Sequence, residues 1–182
     1  MTAVAKPAEI LSFWREAGKE RWFKKYDDFD RTITSRFLPT HGAASRGEFT
    51  ALEASAEGAL ALLIILDQFP RNMFRGSARA FADDPLARAV ADRALAHGFD
   101  KMTEQELRQF FYLPFMHSEL LADQDRSLQI YEIYGDTNAL QSAKTHRDII
   151  LKFGRFPHRN EVLGRSTTAA EEEFLKSGGF AG

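Results

Sequence analysis

The chain has no cysteine among its 182 residues. This excludes disulfides, thiolate zinc sites, iron–sulfur ligation and a cysteine nucleophile, and it fits a reducing compartment. It also lacks an excess of either charge: 24 Lys and Arg stand against 26 Asp and Glu, a formal net charge of −2. A general nucleic-acid binder needs a basic surface to neutralise phosphates, so the balance argues against one. Long apolar runs are missing. The longest, Ala59 to Leu66, is far too short to span a bilayer and reads as a buried helix segment. The first residues, Met1 to Pro7, hold no apolar stretch of the signal-peptide kind, so the expected location is cytoplasmic, away from membranes. No segment alternates β-branched residues as a strand would. Neither a Gly-x-Ser-x-Gly elbow nor a Gly-rich phosphate loop occurs. Histidines four apart on one helix, the usual metal-sharing pair, are absent too. His117 and Glu119, spaced by two, fall on different faces, so no metal and no cofactor is expected.

What is present is an ordinary globular composition, 44% hydrophobic and 27% charged with sixteen phenylalanines. It suits a single domain over residues 1–182 with a substantial aromatic core. Helical periodicity runs almost throughout. Pro7 opens a first helix with Ile10, Phe13, Trp14 and Ala17 on one face. Asp27-Asp28 precede a second, carrying Phe29, Ile33, Phe37 and Leu38, which Pro39-Thr40-His41-Gly42 is expected to break. A third and longest runs from about Glu48 to Leu66. Asp84 with Pro85 reads as the cap and first position of a helix ending at His97-Gly98. Thr103 with Glu106 has capping-box spacing. Leu113-Pro114 restarts the chain into a helix ending near Tyr134-Gly135, and Asp136 caps another ending at Phe153-Gly154. Thr168 with Glu171 is a second capping box, for a short helix stopping at Gly178-Gly179. The fold class is therefore all-α: about eight helices in successive antiparallel pairs, in an α-α superhelical or bundle arrangement. Only fragments of a tetratricopeptide-type repeat occur, such as the stretch from Ala94 to Asp100.

One polar phrase occurs twice. Asp67-Gln68-Phe69-Pro70-Arg71-Asn72 and Arg155-Phe156-Pro157-His158-Arg159-Asn160 each follow a long apolar helical run, and each has another Arg beside a Gly downstream, at Arg75-Gly76 and Gly164-Arg165. Proline places both phrases at helix C-termini, where the chain turns and polar groups can converge. Arg71, Arg75, Arg155, Arg159 and Arg165, joined by His158, form a cluster suited to carboxylate or phosphate. The same arginines also suit pairing with local acids such as Asp67, Asp83, Asp84 and Glu161 and with helix-end carbonyls. Asn72 and Asn160 are most simply turn or cap residues. On the helix from Pro114, His117 and Gln124 share the apolar face. His146 lies in the stripe of Ala139, Ala143, Ile150 and Phe153. Each histidine reads equally as a core residue with one hydrogen bond or as part of a shared site, and burial demands polar partners either way.

These phrases resemble an uncharacterised bacterial family, the domain-of-unknown-function family 924, whose structures are all-helical and tetratricopeptide-like. The similarity runs from about Phe13 to Leu175. Its most specific parts are Leu66 to Asn72, Phe74-Arg75-Gly76, Tyr112 to Glu119, Phe153 to Asn160 and Leu163 to Thr167. Thr168 stands where the family pattern often has proline, and threonine still caps a helix there. The resemblance implies the tetratricopeptide-like fold and the place of a site. It implies no activity.

Two functions follow. One is a pocket for a small anionic molecule, lined by Asp67, Arg71, Asn72, Glu119, His146, Arg155 and Arg159. In a catalytic form His117 or His158 would act as general base while arginines orient the substrate. The other is an interaction module that holds a peptide in a concave groove. A structural origin for the phrases, as interlocked helix-end turns, stands beside both.

Overall fold

In the computed structural model, residues 4–134 and 137–180 are described. The described residues form helices and turns with no strand, so the fold is all-α. Two compact units make up the chain, Met1–Pro114 and Phe115–Gly182.

In the first unit, α1 (Pro7–Trp22) and α2 (Asp27–Ser45) are followed by α3 (Ala56–Leu63), α4 (Phe69–Met73), α5 (Asp84–Ala96) and the short α6 (Gln105–Arg108). The core is aromatic. Trp14 is fully buried and stacks on Trp22 at 5.9 Å, while Phe69 packs against Phe37 at 4.9 Å. The run Ala59–Leu66 is buried throughout.

Two of the three prolines expected to end helices, Pro39 and Pro70, fail to do so. Helix α2 continues past Pro39 to Ser45. An internal proline costs about 3 kcal/mol, but the turn after it is anchored. Thr40, His41, Ala43 and Ala44 are buried, Thr40 Oγ1 accepts the Ala5 N–H at 2.9 Å, and His41 Nε2 lies 2.8 Å from Asp83 Oδ2. Before Pro70 the chain widens into a π turn over Ile64–Gln68, where the Phe69 N–H bonds to the Ile64 carbonyl, and α4 follows without a break. The wider register displaces the carbonyls that the proline ring would otherwise strike.

The third helix begins at Ala56, not near Glu48, because Ser55 caps it: its hydroxyl accepts the Gly58 N–H at 3.1 Å. Asp84 is the first residue of α5 and not its cap, and the capping position is Asp83. The expected box at Thr103 does not form. Its hydroxyl donates to Phe99 O at 2.9 Å, and Glu104 takes the capping position of α6.

The chain enters the second unit within α7 (Leu113–Met116), followed by α8 (Leu121–Tyr134), α9 (Thr137–Phe153) and α10 (Ala169–Lys176). The helix expected from Pro114 is thus interrupted at residues 117–120. Ser118 causes the restart: its hydroxyl accepts the Leu120 N–H at 3.1 Å and donates to Asp123 at 2.6 Å. His117 therefore sits in a turn and shares no helical face with Gln124. Helices α8 and α9 pack against each other. The Asp136 cap and Gly135 lie outside the described residues. The Thr168–Glu171 capping box forms in full at α10.

Candidate functional site

The first phrase lies in the first unit as part of a set of ion pairs. The π turn buries Asp67 and Gln68, and Gln68 Nε2 donates to Asp67 Oδ2 at 2.5 Å. Arg71 reaches back one turn. Its Nη1 lies 3.3 Å from Asp67 Oδ1 and 3.0 Å from Asp84 Oδ1, and Nη2 donates to Asp84 Oδ2 at 3.2 Å. Burial pulls the Arg71 pKa down, but Asp67 and Asp84 outweigh it and hold the guanidinium more firmly charged than usual. Asn72 Nδ2 donates to Asp30 Oδ1 at 2.7 Å, and Arg75 Nε donates to Asp30 Oδ2 at 2.9 Å. Helix α4 is thereby tied to α2 and α5. An open cleft of about 430 Å³ beside Asn72 is lined by Asp27, Asp30, Arg31 and Thr34 among others.

The second phrase, in the second unit, does follow a helix end. Gly154 takes φ 69° after α9, a left-handed turn that glycine alone adopts at little cost. The chain then runs extended at Phe156 and closes a 3-10 turn over Pro157–Arg159. Two carboxylates organise it. Glu119 accepts the Phe156 N–H at 2.8 Å and both ends of the Arg165 fork at 2.8 and 3.0 Å. Burial raises the Glu119 pKa, but Arg165, the Phe156 N–H and Arg159 together bring it below the ordinary carboxylate value. Glu171, buried at the first turn of α10, accepts Arg155 Nε at 2.6 Å, Arg155 Nη2 at 2.9 Å and the Thr168 N–H at 2.7 Å. Chiefly through Arg155, its pKa falls to about 2.

The side chains of this turn gather around the Phe156 ring. The Arg159 guanidinium lies 4.6 Å over it, His146 is 5.5 Å away and His158 5.6 Å away, centroid to centroid. His146 Nδ1 is 2.7 Å from the Ser142 carbonyl, which makes that nitrogen the donor. Asn160 is buried; its Nδ2 donates to Thr167 Oγ1 at 3.4 Å, and its Oδ1 accepts no hydrogen bond among the described residues. Beside the turn an open cleft of about 480 Å³ is lined by Lys152, Phe153, Arg155, Thr168, Ala170 and Glu171.

Of the residues singled out in the sequence, the structure brings together Asp67, Arg71 and Asn72 in the first unit. It brings together Glu119, His146, Arg155, His158 and Arg159 in the second. His117 is half-buried in the turn before α8. Sequence reasoning missed Asp30, and it read Glu171 only as the partner of Thr168 in a capping box. The Thr168–Glu171 spacing was a signal for Glu171, and no sequence signal marked Asp30. Among the described residues no group of three or more acidic or histidine side chains is arranged to hold a metal, and no helix is long and apolar enough to cross a membrane.

The model of a family described as a bacterial protein of unknown function (DUF924) matches residues 10–179. The chain belongs to this family. A solved structure of a protein of unknown function from Agrobacterium tumefaciens is similar to it at 46% identity and a TM-score of 0.91, covering 94% of this chain and 97% of that one. No curated protein matches. Both Phe-Pro phrases fall inside the part that the DUF924 model matches.

Proposed function

We propose that the protein binds a small anionic molecule at the second phrase, in the cytoplasm. The observation that carries this reading is the charge distribution of one turn. Arg155, Arg159 and Arg165 lie around two carboxylates, Glu119 and Glu171, with His158 alongside and Lys152 on the adjoining cleft. Both carboxylates hold their protons weakly and fix two of the guanidiniums in place, Glu171 that of Arg155 and Glu119 that of Arg165, so that several cationic groups are oriented around one turn. Guanidinium forks match carboxylate and phosphate geometry. In the first phrase the Arg71 guanidinium is held between Asp67 and Asp84, and we read Asp67, Arg71 and Asn72 as a clasp that fixes α4. In a catalytic form of the same site, His158 takes the proton while Arg159 orients the substrate. The tetratricopeptide-like pairing of helices belongs to this proposal and is supported by the packing of α8 on α9.

The test is a thermal-shift screen of inorganic phosphate, phosphorylated metabolites and dicarboxylates on wild type, Arg159→Lys and Arg159→Ala. A true ligand at a hundredfold its Kd stabilises the native state by about 2.7 kcal/mol. The expected pattern is a shift in wild type, a smaller one in Arg159→Lys and none in folded Arg159→Ala. The reading is abandoned if no anion shifts the wild type, or if Arg159→Ala responds as the wild type does.

A further inference from the structure

The open cleft beside the second phrase carries two cationic groups with hydrogens to spare. Its walls are the last residues of α9, the first of α10 and Arg155 between them. Arg155 spends one edge of its guanidinium on Glu171, through Nε at 2.6 Å and Nη2 at 2.9 Å, and Nη2 also donates to the Ser166 carbonyl at 2.8 Å. Its Nη1 makes no hydrogen bond among the described residues.

Lys152, on the same wall, meets no acid among the described residues. Its ammonium lies 4.9 Å from the Phe153 ring centroid and 5.8 Å from that of Phe174, and the two rings pack on each other at 5.1 Å. Ring faces hold a cation in place but give its N–H groups no oxygen acceptor. The acids around it are engaged elsewhere or do not reach it. Glu172 is held by Lys176 at 2.7 Å, and Asp148, one turn earlier on α9, forms no ion pair with Lys152.

This arrangement selects among anions. A carboxylate is matched by the parallel Nε and Nη2 hydrogens of a guanidinium, and at Arg155 that edge already holds Glu171. What remains on the cleft is the Nη1 end and a point-charge ammonium, the form in which lysine serves phosphate sites. A phosphoryl dianion has three oxygens to share between the two, whereas a monocarboxylate has two oxygens and half the charge. We propose that this cleft receives the phosphoryl group of a small phosphomonoester, with Lys152 Nζ and Arg155 Nη1 donating to its oxygens. The proposal rests on the anion reading above and gives the anion its chemical class. Arg155 also holds Glu171, so Lys152 is the residue to vary.

The probes are glycerol 3-phosphate, dimethyl phosphate and acetate, titrated calorimetrically at fixed salt into wild type, Lys152→Gln, Ala170→Glu and Lys176→Gln, with folding checked by circular dichroism. Ala170→Glu adds a carboxylate to the cleft wall in the first turn of α10, where an acid favours the helix, so the fold is kept while a phosphoryl group is repelled. Lys176→Gln removes the same charge as Lys152→Gln, but outside the cleft. Wild type should bind glycerol 3-phosphate more tightly than either monoanion. Losing one charged hydrogen-bond donor should weaken that binding about tenfold in Lys152→Gln. Ala170→Glu should weaken it at least as much, and Lys176→Gln should stay near wild type. Equal binding by wild type and Lys152→Gln, an equal loss in Lys176→Gln, or acetate bound as tightly as glycerol 3-phosphate overturns the phosphoryl cleft and leaves the anion reading standing. If none of the probes binds the wild type, both readings fall.

Discussion

Replacing Glu171 by Gln should lower stability and raise anion affinity together. Glu171 is buried and accepts hydrogen bonds from Arg155 Nε and Nη2 and from the Thr168 N–H. Glutamine keeps the shape but turns one acceptor oxygen into a donor facing N–H groups that already donate. Leaving such a buried group unsatisfied costs about 1–3 kcal/mol. Arg155 is partly open to solvent, so about 2 kcal/mol is a fair figure, or about 4–8 °C in Tm for a chain of this size. The pH dependence has a defined sign. The folded Glu171 pKa, about 2, lies below its ordinary 4.5, so its contribution is present above about pH 4.5 and fades as pH falls toward 2. The difference between wild type and Glu171→Gln in urea denaturation should be full at pH 7 and shrink progressively between about pH 5 and pH 2. Removing one negative charge also makes the turn more positive, so phosphate should bind Glu171→Gln more tightly than wild type. Equal stability at pH 7, a stability gap that widens in acid, or weaker phosphate binding in the folded variant would each refute this reasoning.

Two further outcomes follow from the packing. Gly58→Ala sets helix propensity, worth about 1 kcal/mol in its favour, against a Cβ placed 2.1 Å from the Leu52 carbonyl oxygen. The clash with fixed backbone should win, giving a net loss of about 1–2 kcal/mol by thermal melting, and a stabilised variant would contradict it. Asp30→Ala removes the acceptor shared by Asn72 and Arg75; it should cost about 1–2 kcal/mol in urea denaturation while leaving phosphate binding unchanged, and a loss of anion binding by the folded variant would restore the first phrase to the site.

Much of the fold could be read in the sequence, because helical periodicity, the Thr168–Glu171 box and the glycines at 98, 154 and 178 are local signals. Prolines misled. Pro39 and Pro70 lie within continuous helical chain because burial of Thr40 and His41 in one case, and a π turn in the other, override the local rule. His117 shows the reverse failure: a continuous apolar pattern hid a break set by Ser118 and Asp123. The polar phrases stood out as unusual, but their function depends on partners that periodicity does not reveal. Asp30 pairs with Asn72 across 42 positions and Glu119 with Arg165 across 46, so the sequence could not show which acid holds which guanidinium or amide.

The central claim, that an anion binds the second phrase and not the first, is tested most directly by following the arginine Nε–H resonances of labelled protein during titration with inorganic phosphate. Saturable shifts are expected at Arg155, Arg159 and Arg165, while Arg71 and Arg75, held by Asp67, Asp84 and Asp30, stay in place. Shifts at Arg71 and Arg75 with none at Arg159, or no saturable shift at any of the five, would contradict it.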